Sequence, residues 1–142
     1  MLVEIIGTQA IDGESDKVSV FTTGTLEKLP KGFSLSYTET LESGSVKASI
    51  IDIDLEKSIV TLTKKSEDGV SLMIQKGVRH NGFLSFPFGE IPLNVVGKDI
   101  NCSFDIETGG GLYLSYDLEL GGLSSSSHTI EINLKPEQKP SN

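Results

Sequence analysis

The sequence predicts an all-β protein, a single antiparallel up-and-down barrel of about eight to ten strands. Three observations carry this. No window of a dozen residues keeps apolar side chains at the three-and-four spacing of a helix, whereas period-two alternation recurs from end to end. Turn-forming clusters of Gly, Asp, Asn and Ser separate the alternating runs at hairpin intervals, too short for helical crossovers. Nearly every run has one apolar face only, so closing the sheet on itself buries those faces and removes the exposed edges. A two-sheet sandwich is the rival solution.

The elements follow in order. Asp12-Gly13 marks the first turn and Pro30-Lys31-Gly32 the next. Phe33, Leu35, Tyr37 and Leu41 then alternate with Ser34, Ser36, Thr38 and Thr40, a strand ended by Glu42-Ser43-Gly44. Val46, Ala48 and Ile50 are apolar at even positions and Ile51, Ile53 and Leu55 at odd ones, a phase change that predicts a bulge near Ile50. Val60 and Leu62 share a face with Lys64, ahead of a turn at Glu67-Asp68-Gly69. Arg79-His80-Asn81-Gly82 reads as a hairpin tip, since Asn-Gly favours the tight turns that join antiparallel strands. Leu84, Phe86 and Phe88 change phase at Gly89 to Ile91, Leu93 and Val95, which predicts a second bulge.

Ile100, Cys102, Phe104 and Ile106 form the next apolar face, and the glycines from Gly109 to Gly111 form a turn. The clearest alternation runs from Leu112 to Leu120, with Leu112, Leu114, Tyr116, Leu118 and Leu120 opposite Tyr113, Ser115, Asp117 and Glu119. Gly121-Gly122 and a run of serines lead to the last strand, His128, Ile130, Ile132 and Leu134. The barrel domain therefore spans residues 1–135. Residues 136–142, polar and containing Pro136 and Pro140, are expected to be a disordered tail.

At 142 residues the chain has room for one domain and can bury roughly two-thirds of its unfolded surface without disulfides or a structural metal. Twelve basic against twenty acidic side chains give a net charge of −8, which repels phosphate backbones and anionic lipid, so neither nucleic acid nor a membrane is expected as a partner. The single Cys102 cannot form an internal disulfide, and residues 1–7 have neither the basic start nor the apolar run of a signal peptide. A cytoplasmic setting follows from these features.

The chemistry-bearing residues are few. His80 and His128 do not stand at zinc-ligand spacing, so no metal is expected. The glycines at 109–111 precede a strand rather than a helix and lack the helix N-terminus of a phosphate loop, so no cofactor is expected either. Cys102 falls on an apolar face, where a thiol is usually an inert hydrophobe.

What remains is charge on faces that the alternation turns inward: Glu39, after Tyr37, and Lys64, after Leu62. A lone buried charge costs several kcal/mol, so the two either pair inside the barrel or reach water at its rim. Tyr37, Tyr116 and His128 complete a polar cluster in an aliphatic interior, the mixture that orients a small ligand. Glu39, Lys64, Tyr37, Tyr116 and His128 are thus the candidate ligand-binding residues.

In this order and spacing the segments resemble the YwiB-type family of small bacterial barrel proteins. The resemblance rests on Thr22-Thr23-Gly24, Leu35-Ser36-Tyr37-Thr38-Glu39, Val60-Thr61-Leu62-Thr63-Lys64-Lys65, Gly77-Val78-Arg79-His80, Pro87-Phe88-Gly89 and Gly110-Gly111-Leu112-Tyr113-Leu114-Ser115-Tyr116-Asp117-Leu118. It implies a calycin-like, lipocalin-like fold and no established activity. Where the family pattern favours an arginine, this chain has Lys64, which keeps the charge and loses bidentate pairing with a carboxylate. The family's aromatic-x-Thr-Pro-Tyr-Gly element stands here as Leu84-Ser85-Phe86-Pro87-Phe88-Gly89, without its two hydroxyls.

Three functional readings follow. The first is a barrel that holds a small, partly apolar ligand inside. The second is a non-catalytic structural or interaction module acting through outward residues such as Ile6, Phe21, Ile59, Met73 and Tyr113, with a second copy of the chain as partner. The third, an enzyme using Glu39 as base, lacks a nucleophile, an oxyanion hole and a second catalytic group, so no catalysis is expected.

Overall fold

The computed structural model describes residues 1–40, 44, 46–65, 70–86, 88–120 and 124–137. Among these, ten strands form a closed ring in which every named pairing is antiparallel. They are β1 (Leu2–Ile11), β2 (Glu14–Leu29), β3 (Gly32–Thr40), β4 (Val46–Asp54), β5 (Ile59–Lys65), β6 (Val70–Gln75), β7 (Arg79–Phe86), β8 (Gly89–Cys102), β9 (Gly110–Leu120) and β10 (Ser124–Lys135). Each strand pairs with its sequence neighbours, and β1 closes on β10 from Leu2↔Lys135 to Ala10↔Ser127. The meander is therefore a barrel, and the sandwich is excluded.

The core is built in rows. Register places Phe33, Ile53, Val60 and Ile74 side by side, and Leu35, Ile51, Leu62 and Leu72 in the row beside them; all eight are buried. Across the ring, Leu112 and Ile132 pair, as do Leu114 and Ile130, with Leu112, Leu114 and Ile132 almost fully enclosed. Phe104 closes on Phe33 edge to face, ring centroids 6.1 Å apart. Each such side chain removed from water contributes about 1.5–3 kcal/mol, and their interdigitation sets the register.

β2 serves two partners in succession. Its residues 14–23 pair with β1, and from Gly24 onward it pairs with β3. Gly24 is the switch point: its N–H donates to Met1 O at 2.9 Å, and a Cβ there would stand 2.7 Å from Ser36 O. Beyond it β2 and β3 part, and the Thr22 hydroxyl donates to Thr38 O at 2.7 Å in place of a backbone rung. A separate close crossing occurs at Gly97, where a Cβ would lie 2.2 Å from Gln75 O on β6.

Several local expectations are corrected. β4 runs in unbroken register with both neighbours, so there is no bulge near Ile50; Ser49, Ile51 and Ile53 are buried, and Val46 is exposed. The phase change at Gly89 marks the end of β7 and the start of β8, whose register pairs Phe86 with Gly89 without a shift, so it is not a bulge. The register shift lies instead between Gly97 and Asp99, where Lys98 is inserted opposite β9. Arg79-His80-Asn81-Gly82 is not a hairpin tip but the start of β7, paired with β8; the turn comes earlier, at Gly77 with φ 75°. Ile106 is exposed, because β8 ends at Cys102 and the chain folds into a turn capped by Asp105, whose carboxylate accepts from the Glu107 and Thr108 amides.

The glycines at 109–111 do make a turn, with Gly109 and Gly110 at positive φ. Of the expected tail, Pro136 and Glu137 are described, Glu137 accepting from the Met1 amino group at 3.4 Å, while residues 138–142 lie outside the described residues. The turns expected at Glu67-Asp68-Gly69 and Gly121-Gly122, with Leu41, Glu42 and Ser43, lie outside them as well.

Candidate functional site

One row beyond Leu35, Ile51 and Leu62, the interior changes character. Period-two alternation carries β3, β4 and β5 on to Tyr37, Ser49 and Lys64, which register sets directly side by side. One step further, Glu39 faces Lys47. The same three strands that make an aliphatic floor thus make a polar end, with no change in backbone.

Above that floor lies a cleft of about 200 Å3. Its walls include Ile5, Val18, Val20, Ile50, Ile51, Leu62 and Ile130, and its polar groups come from Tyr37, Glu39, Ser49, Thr63 and Lys64. The apolar side chains come from five different strands, so the cleft belongs to the barrel end rather than to a loop.

Burial controls the electrostatics here. The Tyr37 phenol is pushed above its ordinary range by desolvation, partly relieved by the neighbouring Ser49 hydroxyl and reinforced by Glu39. The buried Ser49 Oγ has no hydrogen-bond partner among the described residues, although it stands close enough to the Tyr37 phenol to act on its pKa. Lys64 is lowered by desolvation first and by Lys47 second, with Glu39 acting against both. The ion pairs among the described residues are others, at the surface, and none joins Glu39 to Lys64 within 4.0 Å. The two charges share a cleft without forming a direct pair, which was one of the two arrangements the sequence allows.

The five candidate residues divide into two groups. Tyr37, Glu39 and Lys64 line the cleft, whereas Tyr116 and His128 line an adjacent recess of about 170 Å3 that shares Gly7, Val18 and Ile130 with it. The Tyr116 and His128 rings are stacked, centroids 5.3 Å apart and 9° from parallel. His128 Nε2 lies 2.7 Å from Ser126 Oγ, and burial lowers its pKa against the opposing pull of Asp117. The single cluster expected from sequence is therefore two neighbouring sites. His80 takes no part and hydrogen-bonds Gln75 through Nε2 at 2.9 Å.

Sequence reasoning missed Ser49 and Lys47. Their signal was present: the even-numbered apolar run of Val46, Ala48 and Ile50 implied polar residues at 47 and 49 on the opposite face. The same pattern predicts a bulge when the apolar side of the strand is expected to face inward, and the expected bulge conceals the polar inward row. Among the described residues, no group of three or more His, Cys, Asp or Glu side chains is gathered where it could hold a metal ion. Among them, too, no helix is long and apolar enough to cross a membrane. Cys102 is half-buried, and desolvation raises its thiol pKa, so the thiolate is disfavoured.

A closed all-antiparallel ring with an aliphatic interior and one polar end defines a small up-and-down β-barrel protein, consistent with a calycin-like fold. The chain belongs to the family described as Domain of unknown function (DUF1934), whose model matches residues 3–132. It is similar in fold to the crystal structure of ywiB protein from Bacillus subtilis, with a TM-score of 0.78 and 21% identity over 95% of this chain and 91% of that one. The YwiB-type resemblance seen in the sequence is thus shown. Among curated proteins none matches the chain.

Proposed function

We propose that this protein is a cytoplasmic, non-catalytic barrel that binds a small, partly apolar ligand in the cleft, oriented by Tyr37, Glu39 and Lys64. The observation that carries the reading is the change of character between two adjacent inward rows, from Leu35, Ile51 and Leu62 to Tyr37, Ser49 and Lys64, with open volume above them. Small barrels usually fill their interior with side chains, and a well-packed end would place aliphatic residues at these positions. Apolar walls with a few convergent polar groups are the composition of small-molecule sites. Tyr116 and His128 extend the reading into the adjoining recess, where a larger ligand would reach them.

Native mass spectrometry of the protein purified from its own cells tests this. A stoichiometric small molecule, displaced when Leu62→Trp fills the cleft, is the expected result. Retention of that molecule by the filled variant would place it elsewhere and sink the reading.

A second reading draws on the unpaired side of β2. Phe21 there is 75% exposed, and an apolar side chain on a sheet margin of that kind favours association with another chain, including a second copy. Sedimentation decides this reading, since a strict monomer at high concentration removes self-association.

A further inference from the structure

We infer that the cleft is a monocarboxylate site, taking a short aliphatic acid with its carboxylate against Ser49, Tyr37 and Lys64; this rests on the cleft being a ligand site at all. Ser49 supplies the first observation. It is 2% exposed, lines the cleft, and its Oγ has no hydrogen-bond partner among the described residues. A buried hydroxyl left unpaired costs about 1–3 kcal/mol, and an alanine there would avoid that cost, so the position is explained by a partner that arrives from outside.

The donor inventory gives the partner's chemistry. Tyr37 keeps its phenolic proton at neutral pH and offers an O–H. Lys64 offers an ammonium with no acid within 4.0 Å among the described residues. Ser49 adds a second hydroxyl, and Glu39 is the one acceptor-only group, set opposite Lys47 in register. Lys64 donates only, and the Tyr37 and Ser49 hydroxyls can each donate, so one oxygen able to accept several hydrogen bonds would engage all three. The charge arithmetic limits that oxygen's owner. Lys47 does not line the cleft, but it faces Glu39 in register and acts on Lys64, so the three charges together leave one positive unit, which a monoanion balances and a dianion overshoots. A neutral carbonyl or alcohol leaves the ammonium uncompensated in a partly desolvated place.

The rest of the cleft sets the ligand's body. Ile5, Val20, Ile50, Leu62 and Ile130 offer apolar wall, and about 200 Å3 suits a short chain rather than a drug-sized molecule. The head would sit where carboxylate oxygens accept charge-assisted hydrogen bonds, and the chain where it displaces water from aliphatic surface.

The test uses three six-carbon probes that differ only at the head: hexanoate, 1-hexanol and hexylamine, each titrated into the full-length protein with amide and methyl NMR signals as readout. Hexanoate is expected to shift Ile5, Leu62 and Ile130 at the lowest concentration, with the alcohol and the amine weaker by at least about tenfold. Lys64→Met and Ser49→Ala, each checked for a native spectrum, are expected to weaken hexanoate by about tenfold and about threefold while leaving 1-hexanol within about twofold. Equal or tighter binding of 1-hexanol or hexylamine overturns the carboxylate assignment and leaves the cleft as a ligand site. The same assignment falls if hexanoate binding is indifferent to both substitutions. If none of the three probes moves the cleft signals, the ligand-site reading fails along with the inference.

Discussion

Tyr116 shows what a single phenol does when it is turned inward. It is buried and stacked on His128, and desolvation pushes its pKa up to about 12. Between pH 10 and 12 the unfolded chain has already released this proton while the folded chain still holds it, so the folded state binds more protons and stability falls as pH rises through that window. A shift of this size corresponds to about 2 kcal/mol lost by pH 12. Lys64 acts with the opposite sign, because its lowered pKa penalises the folded state until the ammonium deprotonates. Comparison with Tyr116→Phe isolates the tyrosine. Urea denaturation is expected to show the variant near wild type at pH 9 and clearly more stable than wild type at pH 11.5; parallel losses in the two proteins would show that the phenol is not held neutral.

At the level of strands, two glycines that look alike in sequence have opposite roles. Gly97 lies where β6 crosses β8, and any Cβ would strike the Gln75 backbone, whereas a Cβ on Gly7 would meet nothing within 4 Å. Gly97→Ala is therefore expected to cost at least about 2 kcal/mol by forcing two backbones apart, while Gly7→Ala stays within about 1 kcal/mol of wild type and leans toward stabilisation. Thermal melts of the two variants check this, and equal melting temperatures would mean that the crossing is loose.

The same scale shows how far the sequence could be read. Leu112, Leu114 and Tyr116 announce their strand because alternation and burial coincide there. The crossing at Gly97 is set by a neighbour distant in sequence, and no local pattern reports it. Asn81-Gly82 has the chemistry of a turn, yet β7 runs straight through it, since Gly82 is wanted for the close approach of Ser71 O and the Leu72 and Leu93 side chains. The candidate site was half legible. Glu39 and Lys64 stood out as charges on apolar faces, but Ser49 and Lys47 were hidden because an entire inward row had turned polar, which inverts the signal by which inward faces are recognised.

For the whole molecule, the consequential feature is the closure of β1 on β10. Every other rung of the ring joins strands that follow one another in sequence, and this one joins residues such as Val3 and Leu134 from opposite ends of the chain. The entropy of bringing distant segments together is repaid only once the contacts between them form, so the hairpins precede the closure in time. Stopped-flow chevrons should then separate two conservative deletions: Ile51→Val, within β4, chiefly slows folding, whereas Ile132→Val, on β10, chiefly speeds unfolding. A folding arm slowed by the full loss of stability in Ile132→Val would mean that closure comes early instead. Late closure leaves an open ribbon with two bare margins for as long as the meander waits to complete itself. Such a ribbon can pair with its own kind, so refolding yield should fall with protein concentration even though the finished ring exposes neither margin.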